Sequence, residues 1–235
     1  MRYSIIIPAY NEETRIGFTI RDYATYIQAE MNPDETEIWI IVNGSFDRTG
    51  EIAHEMEHQF PFVHVWESEE KMGKGGAVMQ GFGLAQGEIV AFTDADNATV
   101  APELRKLFTA VEQGADAAIG SRWLPGSVQK VPQPLSRRFA GRVFNLIVRS
   151  LFQLSFRDTQ CGAKAFRREA IRQVLPWVRS TGWAFDVELI WRLLQNRFRV
   201  LETPIVWSDN SHSRLRMHRD APSMLWELIK LRISR

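Results

Sequence analysis

Asp94 and Asp96 stand two residues apart, one residue beyond the short apolar run Glu88-Ile89-Val90-Ala91-Phe92. In an extended chain residues i and i+2 project to the same side, so two carboxylates fall together where a buried strand ends. Like charges that close repel, and one pKa must rise unless a cation lies between them. Oxygen-only donors suit Mg²⁺ or Mn²⁺, ions commonly held by one or two carboxylates plus substrate phosphates. The spacing alone also describes a pair of solvated turn acids, or a helix N-cap before Pro102.

Other segments offer matching chemistry. Lys71-Met72-Gly73-Lys74-Gly75-Gly76-Ala77 opens a helical stretch in which glycines let backbone N–H groups approach an anion and Lys74 adds charge. It has neither Walker A spacing nor the Gly-x-Gly-x-x-Gly of a dinucleotide fold, and a plain flexible helix start stays open. Asn43-Gly44-Ser45-Phe46-Asp47 is either a turn whose Asp47 caps the next helix or a contact to a base or ribose. Arg157-Asp158-Thr159-Gln160-Cys161-Gly162 with Lys164 is a small-residue turn before an apolar strand, either a solvated hairpin or part of the site. Asp186 and Glu188 sit at a helix start and cannot share a face, so at most one serves the site. The histidines show no zinc-ligand spacing, and no nucleophile elbow surrounds any serine.

These residues need a frame. The 235 residues carry a net charge of +1, which gives no global argument for nucleic-acid binding, and a single cysteine, which excludes an internal disulfide framework. Apolar runs at 4–7, 37–42, 62–66, 88–93 and 115–120 alternate with helical periods at 13–30, 47–59, 75–85 and 102–113. Strands apolar on both faces and separated by helices predict an α/β fold with a mainly parallel sheet covered on both sides. In such sheets ligands bind outside the carboxyl ends of the strands, and Tyr10-Asn11-Glu12, Asn43 to Asp47, Asp94 to Asn97 and Ser121-Arg122 all lie just after those strands.

The second half breaks the alternation. Prolines at 125, 132 and 134 predict a long loop over 124–135, followed by helices at 139–154 and 185–198, a strand at 200–207 and a closing helix at 222–233. A single domain is expected over 1–235, with a nucleotide-binding half (1–122) and an acceptor half (123–235). Within the latter, the basic and apolar segments 137–155 and 222–234 read either as solvated faces or as interfacial helices on an anionic membrane. No apolar run approaches the roughly 20 residues a spanning helix requires, and no signal peptide is visible. The expected location is cytoplasmic, peripheral on a membrane.

The segments together resemble the inverting family-2 glycosyltransferases, with their nucleotide-sugar-binding GT-A-like, Rossmann-type fold, and most of all the dolichyl- and polyprenyl-phosphate β-glucosyltransferases. The likeness rests on Ile5-Ile6-Ile7-Pro8-Ala9-Tyr10-Asn11-Glu12-Glu13, Lys74-Gly75-Gly76-Ala77, Thr93-Asp94-Ala95-Asp96-Asn97, Arg157 to Gly162 with Lys164, and Trp183-Ala184-Phe185-Asp186-Val187-Glu188-Leu189. One departure is Val42-Asn43-Gly44-Ser45, where the family has Asp-Asp-Gly-Ser; it bears on the identity of the base.

The resemblance implies transfer of a hexose, glucose on a UDP donor, to a dolichyl or polyprenyl phosphate. It implies donor contacts from Pro8, Tyr10, Asn11, Glu12, Asn43, Ser45, Lys74, Asp94 and Ala95, and a Mg²⁺ or Mn²⁺ on Asp94 and Asp96. Arg122, Arg138 and Arg142 are candidates for the acceptor phosphate. Asp186 and Asp158 are candidate catalytic groups, as base or as orienting acids. A phosphate monoester is largely dianionic at pH 7, which lessens the need for a base. A GDP-mannose donor or a soluble acceptor is the nearest rival, and a nucleotidyltransferase a more distant one.

Overall fold

The structure, a computed structural model, describes residues 1–131, 135–209 and 217–233, excepting the side chains of 136, 137 and 217–220. Residues 132–134 of the proline-rich segment and residue 234 of the last expected helix therefore lie outside the described residues, as does the Arg137 side chain.

The first half alternates as its apolar pattern predicts: β1 (Tyr3–Ala9), α1 (Ile16–Glu30), β2 (Thr36–Asn43), α2 (Thr49–Gln59), β3 (Val63–Ser68), α3 (Gly73–Leu84), β4 (Ile89–Phe92), α4 (Ala101–Glu112) and β5 (Ala117–Ser121). Successive side chains point to opposite faces, and both faces are buried. Ile5, Ile7, Ile38, Ile40 and Val42 pack under α1, α2 and α4, whereas Ile6, Ile41, Val90 and Phe92 pack under α3 and the later helices. That two-sided burial is why the strands are near-continuous apolar runs.

The second half contains β6 (Val128–Val131), α5 (Leu135–Phe152), β7 (Lys164–Arg167), α6 (Arg168–Val174), α7 (Phe185–Gln195), β8 (Val200–Pro204), β9 (Val206–Ser208) and α8 (Met217–Ile233). The main sheet has seven strands in the order β3-β2-β1-β4-β7-β5-β8. Only β7 runs antiparallel, inserted between β4 and β5. The expected loop at 124–135 instead includes β6, paired with β9 in a separate two-stranded sheet. The expected single strand at 200–207 is two: β8 extends the main sheet beside β5, and the chain then departs at Ile205 to meet β6. Pro204, which has no N–H to donate, ends the first of them. α5 packs its Phe144, Val148 and Phe152 against Ile190 and Trp191 of α7 and Met224 and Leu228 of α8.

Candidate active site

A cavity of about 730 Å³ opens at the carboxyl ends of β1, β2 and β4. The first half contributes Pro8, Tyr10, Asn11, Glu12, Arg15, Asn43, Lys71, Lys74, Asp94, Ala95, Asp96 and Arg122 to its lining, and the second half Trp123, Arg138, Phe144, Asp158, Gln160, Trp183, Asp186, Trp207 and Met224. Of the expected residues, Ser45 and Arg142 are outside that lining. Ser45 serves the scaffold: its hydroxyl accepts from the Asn11 N–H, while the Asn11 side chain accepts from Phe46 N–H. Asn11 adopts φ +55°, a left-handed conformation its short polar side chain tolerates. The Asn43 amide is spent locally too, donating to the Gly73 carbonyl and accepting from Met72 N–H. Glu12 pairs with Arg15.

The floor is a chain of alternating charges. Lys164, wholly buried on β7, pairs with Asp186 at the start of α7; Asp186 also faces Lys74 at 3.4 Å, and Lys74 reaches Asp94 at 2.8 Å. Burial alone favours the neutral acid at Asp186, but the ammonium groups of Lys164 and Lys74 outweigh it and hold the carboxyl below the usual range. Burial likewise disfavours the Lys74 ammonium, yet Asp186 and Asp94 overcome that and keep it charged. Glu188 takes no part; it accepts from the backbone of Arg179 and Ser180 and pairs with Arg192. Gly73, at φ +80°, has the Thr181 carbonyl 2.4 Å from where a Cβ would sit, so glycine is required for α3 to start here.

Asp158 is equally committed. Arg122 donates Nε and its backbone N–H to Oδ2 and Nη2 to Oδ1. Burial pushes the Asp158 carboxyl up, but the guanidinium prevails and holds it low. A general base works best with a pKa near the operating pH. Asp158 and Asp186 are both held on the wrong side of that condition, so their geometry is that of orienting anions. The surrounding turn is secured by Glu202 on β8, which accepts from Arg157 and Asp158 N–H, and by Asn145 on α5, which accepts from Thr159. The sequence reading missed both, since nothing local marks them.

Asp96 behaves differently. Burial and the Asp94 charge push it up to about 6. Two crowded carboxylates, one of them reluctant to ionise, suit a divalent cation that relieves both. Among the described residues no third His, Cys, Asp or Glu joins them, so the remaining ligands would come from a substrate such as a diphosphate.

Around Trp123 three guanidinium groups gather on indole rings, those of Arg122 and Arg138 lining the cavity and that of Arg142 just outside its lining. Arg122, Arg138 and Arg142 lie 5.9, 5.6 and 4.6 Å from the Trp123 ring centre, and Arg122 is 5.3 Å from Trp207. Stacking aims and partly dehydrates the guanidinium groups without neutralising them. Trp123, adjacent to Arg122, escaped the sequence reading because a lone aromatic beside an arginine is unremarkable in one dimension.

α5 supplies Arg138, Gly141, Phe144 and Asn145 to the lining of the cavity. Leu135, Phe139 and Leu146 are 79 %, 71 % and 61 % exposed although the other face of the helix is core, so α5 is apolar on both sides. Trp226 on α8 is 60 % exposed, with Lys230 5.2 Å from its ring. Among the described residues no helix is long and apolar enough to cross a membrane.

A family model described as Glycosyl transferase family 2 matches residues 4–175. The chain is 32% identical to glycosyltransferase AglD of Haloferax volcanii over 97% of its own length and 36% of that protein's. It is 31% identical to a dolichyl-phosphate beta-glucosyltransferase of Trichomonas vaginalis, over 91% of this chain and 66% of the other. Identity to the polyprenol monophosphomannose synthase of Mycolicibacterium smegmatis is 33%, over 88% and 78%. Among solved structures, glucosyl-3-phosphoglycerate synthase from Mycobacterium tuberculosis with Mn²⁺ and UDP superposes with a TM-score of 0.68 at 16% identity, over 97% of this chain and 79% of that one. S. aureus TarS gives 0.63 at 20%, over 99% and 64%. At those identities the two structures establish the shared GT-A fold.

Proposed function

The chain belongs to glycosyl transferase family 2, and from that premise we propose that it transfers a hexose, with inversion, from a nucleoside-diphosphate sugar to a polyprenyl or dolichyl phosphate at a membrane surface. Glucose on UDP is the preferred donor. The observation that carries the reading is that one cavity is lined by the acid pair, Lys74 and the Trp123-stacked Arg122 and Arg138, with Arg142 on the same indole ring just outside the lining. Residues 1–122 act as the donor-binding half and 123–235 as the acceptor half of one unit.

Pro8, Tyr10, Glu12 and Ala95 line the nucleoside end, with Asn11, Asn43 and Ser45 holding the loops around it. Lys74, at the start of α3, brings an ammonium and a helix N-terminus to the diphosphate. Asp94 and Asp96 would hold a Mg²⁺ or Mn²⁺, which when bound would supply Lewis-acid neutralisation of the leaving group. Arg138 and Arg142 draw in the acceptor phosphate, and Arg122, fixed by Asp158, supports it. A phosphate oxygen attacks the anomeric carbon while that carbon's bond to the diphosphate oxygen breaks, releasing the nucleoside diphosphate. With a second pKa near 6 the acceptor arrives largely as the dianion. It carries no proton that Asp186 or Asp158 would have to remove, which suits their depressed pKa values.

The exposed apolar side of α5 and Trp226 of α8, beside Arg142 and Lys230, support contact with an anionic bilayer. The deciding experiment offers radiolabelled UDP-glucose, GDP-mannose and related donors with polyprenyl phosphate and reads label in the organic phase. Label from UDP-glucose is the expected result. Label from GDP-mannose alone would replace the donor, and label transferred only to water-soluble acceptors would remove the lipid reading.

A further inference from the structure

A second cavity, which the transfer reaction does not use, lies toward the other end of the sheet. β7 runs antiparallel, so its carboxyl end emerges beside the amino end of β4, where Arg168 N–H donates to the Glu88 carbonyl. There a groove of about 340 Å³ lies between the last turn of α3 and α6. Its apolar floor is Phe82, Val90 and Ile171, with Gly83, Arg168 and Arg172 beside it. Gly83 is about 13 Å along α3 from Lys74. The charge here is one-sided. Arg168 donates Nη1 to the Gln86 carbonyl at 2.7 Å, which fixes the side chain without neutralising it. Among the described residues no carboxylate is paired with Arg168 or Arg172, and Glu169 accepts from Gln173 instead. Gly83 is an independent sign. A Cβ on Gly75 or Gly81 would come within 2.5 Å of Phe185 or Ile6, so packing requires those glycines, whereas a Cβ on Gly83 would meet nothing within 4 Å. Glycine in a helix costs stability relative to alanine, and neither packing nor a positive φ demands it at this position. What it provides is bare backbone beside the apolar floor.

We propose that this groove binds a single anionic amphiphile, an acidic head group on a slender alkyl chain. Arg168 and Arg172 hold the head, and the chain lies over Phe82, Val90 and Ile171 along the bare backbone of Gly83. Guanidinium groups suit an acidic head because they offer paired, charge-assisted N–H donors. The volume is that of a small-ligand site. Phe82, Val90 and Ile171 are only 7 %, 1 % and 2 % exposed, so the flat surface of a bilayer cannot reach them, whereas one chain can enter. The site is independent of the donor and acceptor reading above.

The test titrates octanoate and uncharged octanol into the full chain by calorimetry. Wild-type protein should bind octanoate about tenfold more tightly than octanol. Arg168→Gln/Arg172→Gln should abolish that preference while leaving octanol binding within about twofold. Gly83→Leu should fill the groove and weaken both probes about tenfold or more. Its melting temperature should equal or exceed wild type, because leucine is the better helix former and its Cβ meets nothing, so lost binding is not a lost fold. A wild-type chain that binds neither probe would overturn the proposal. Octanoate binding unchanged in Gly83→Leu would place the amphiphile in the acceptor cavity instead, and a preference that survives the arginine variant would remove the head contact; either result overturns it. Sedimentation with anionic vesicles should be the same for Gly83→Leu and wild type, and a loss there would make the occupant a bilayer rather than one molecule.

Discussion

Asp186→Asn separates an anchoring carboxylate from a general base. The wild-type carboxylate lies between Lys164, 0 % exposed, and Lys74, 10 % exposed, and it is itself almost wholly buried. Lys74 retains Asp94 when Asp186 is neutralised, but Lys164 loses its ion-pair partner and, among the described residues, is left with neutral oxygens such as the Cys161 carbonyl. Breaking a buried ion pair from one side costs about 3–5 kcal/mol. In a chain of this size each kcal/mol moves Tm by about 2–4 °C, so the variant should melt roughly 6–20 °C lower. The double variant Lys164→Met/Asp186→Leu removes both charges and should recover most of that loss, because an apolar replacement of a buried pair is often neutral. The pH dependence has a definite sign. A carboxyl held below its ordinary value contributes stability that is complete above about pH 4 and is lost as pH falls through its folded value. The gap between wild type and Asp186→Asn should therefore close in acid. Melting by circular dichroism without nucleotide, beside kcat measured well below both transitions, decides the matter. A wild-type Tm together with a kcat loss of about 10²–10⁴ would refute the anchoring argument and restore Asp186 as the base.

Further outcomes follow from the same geometry. Asp96→Ala should abolish Mg²⁺-dependent UDP binding in calorimetry while leaving Tm near wild type; retained, EDTA-sensitive transfer would exclude it as a ligand. In Gly162→Ala the new Cβ would lie 1.8 Å from Asp94 Oδ2, so Asp94 must move and kcat/KM should fall by about 10²-fold. Normal kinetics would mean that the Asp94 position is not critical. Arg138→Ala/Arg142→Ala should raise KM for polyprenyl phosphate roughly tenfold and leave the donor KM alone, and equal effects on both would place these arginines elsewhere. Sedimentation with anionic liposomes should weaken as salt rises, since each Lys or Arg near the surface contributes about 1 kcal/mol. It should also weaken in Phe139→Ser/Leu146→Ser, and protein left in the supernatant at low salt would remove the membrane contact.

The alternating first half was legible because each of its strands is buried on both faces, so Ile5-Ile6-Ile7 and Ile38 to Val42 stand out as apolar runs between helical periods. β6 sends no such signal: Val128 and Val131 are exposed, and among the described residues it pairs with β9 alone. The antiparallel place of β7 was hidden for another reason, since Lys164-Ala165-Phe166 shows an apolar strand but not its neighbours, which depend on contacts with residues 89–92 and 117–119. The site divides in the same way. Residue types were readable, and Asp94, Asp96, Lys74, Asp158, Asp186, Arg122 and Arg138 do share one cavity. Pairings were not readable: Arg122 takes Asp158 from 36 positions away, and Lys164 takes Asp186 from 22. Those pairings decide the chemistry, because a carboxylate alone at a strand end is a candidate base and the same carboxylate between two cations is not. Asp96 is the informative exception. Burial, which the fold supplies, is the larger cause of its rise, but the second cause, repulsion from Asp94, follows from a local i, i+2 relation and is readable from spacing. A property set within one strand end is open to sequence reasoning, whereas one set by a partner on another element waits for the fold.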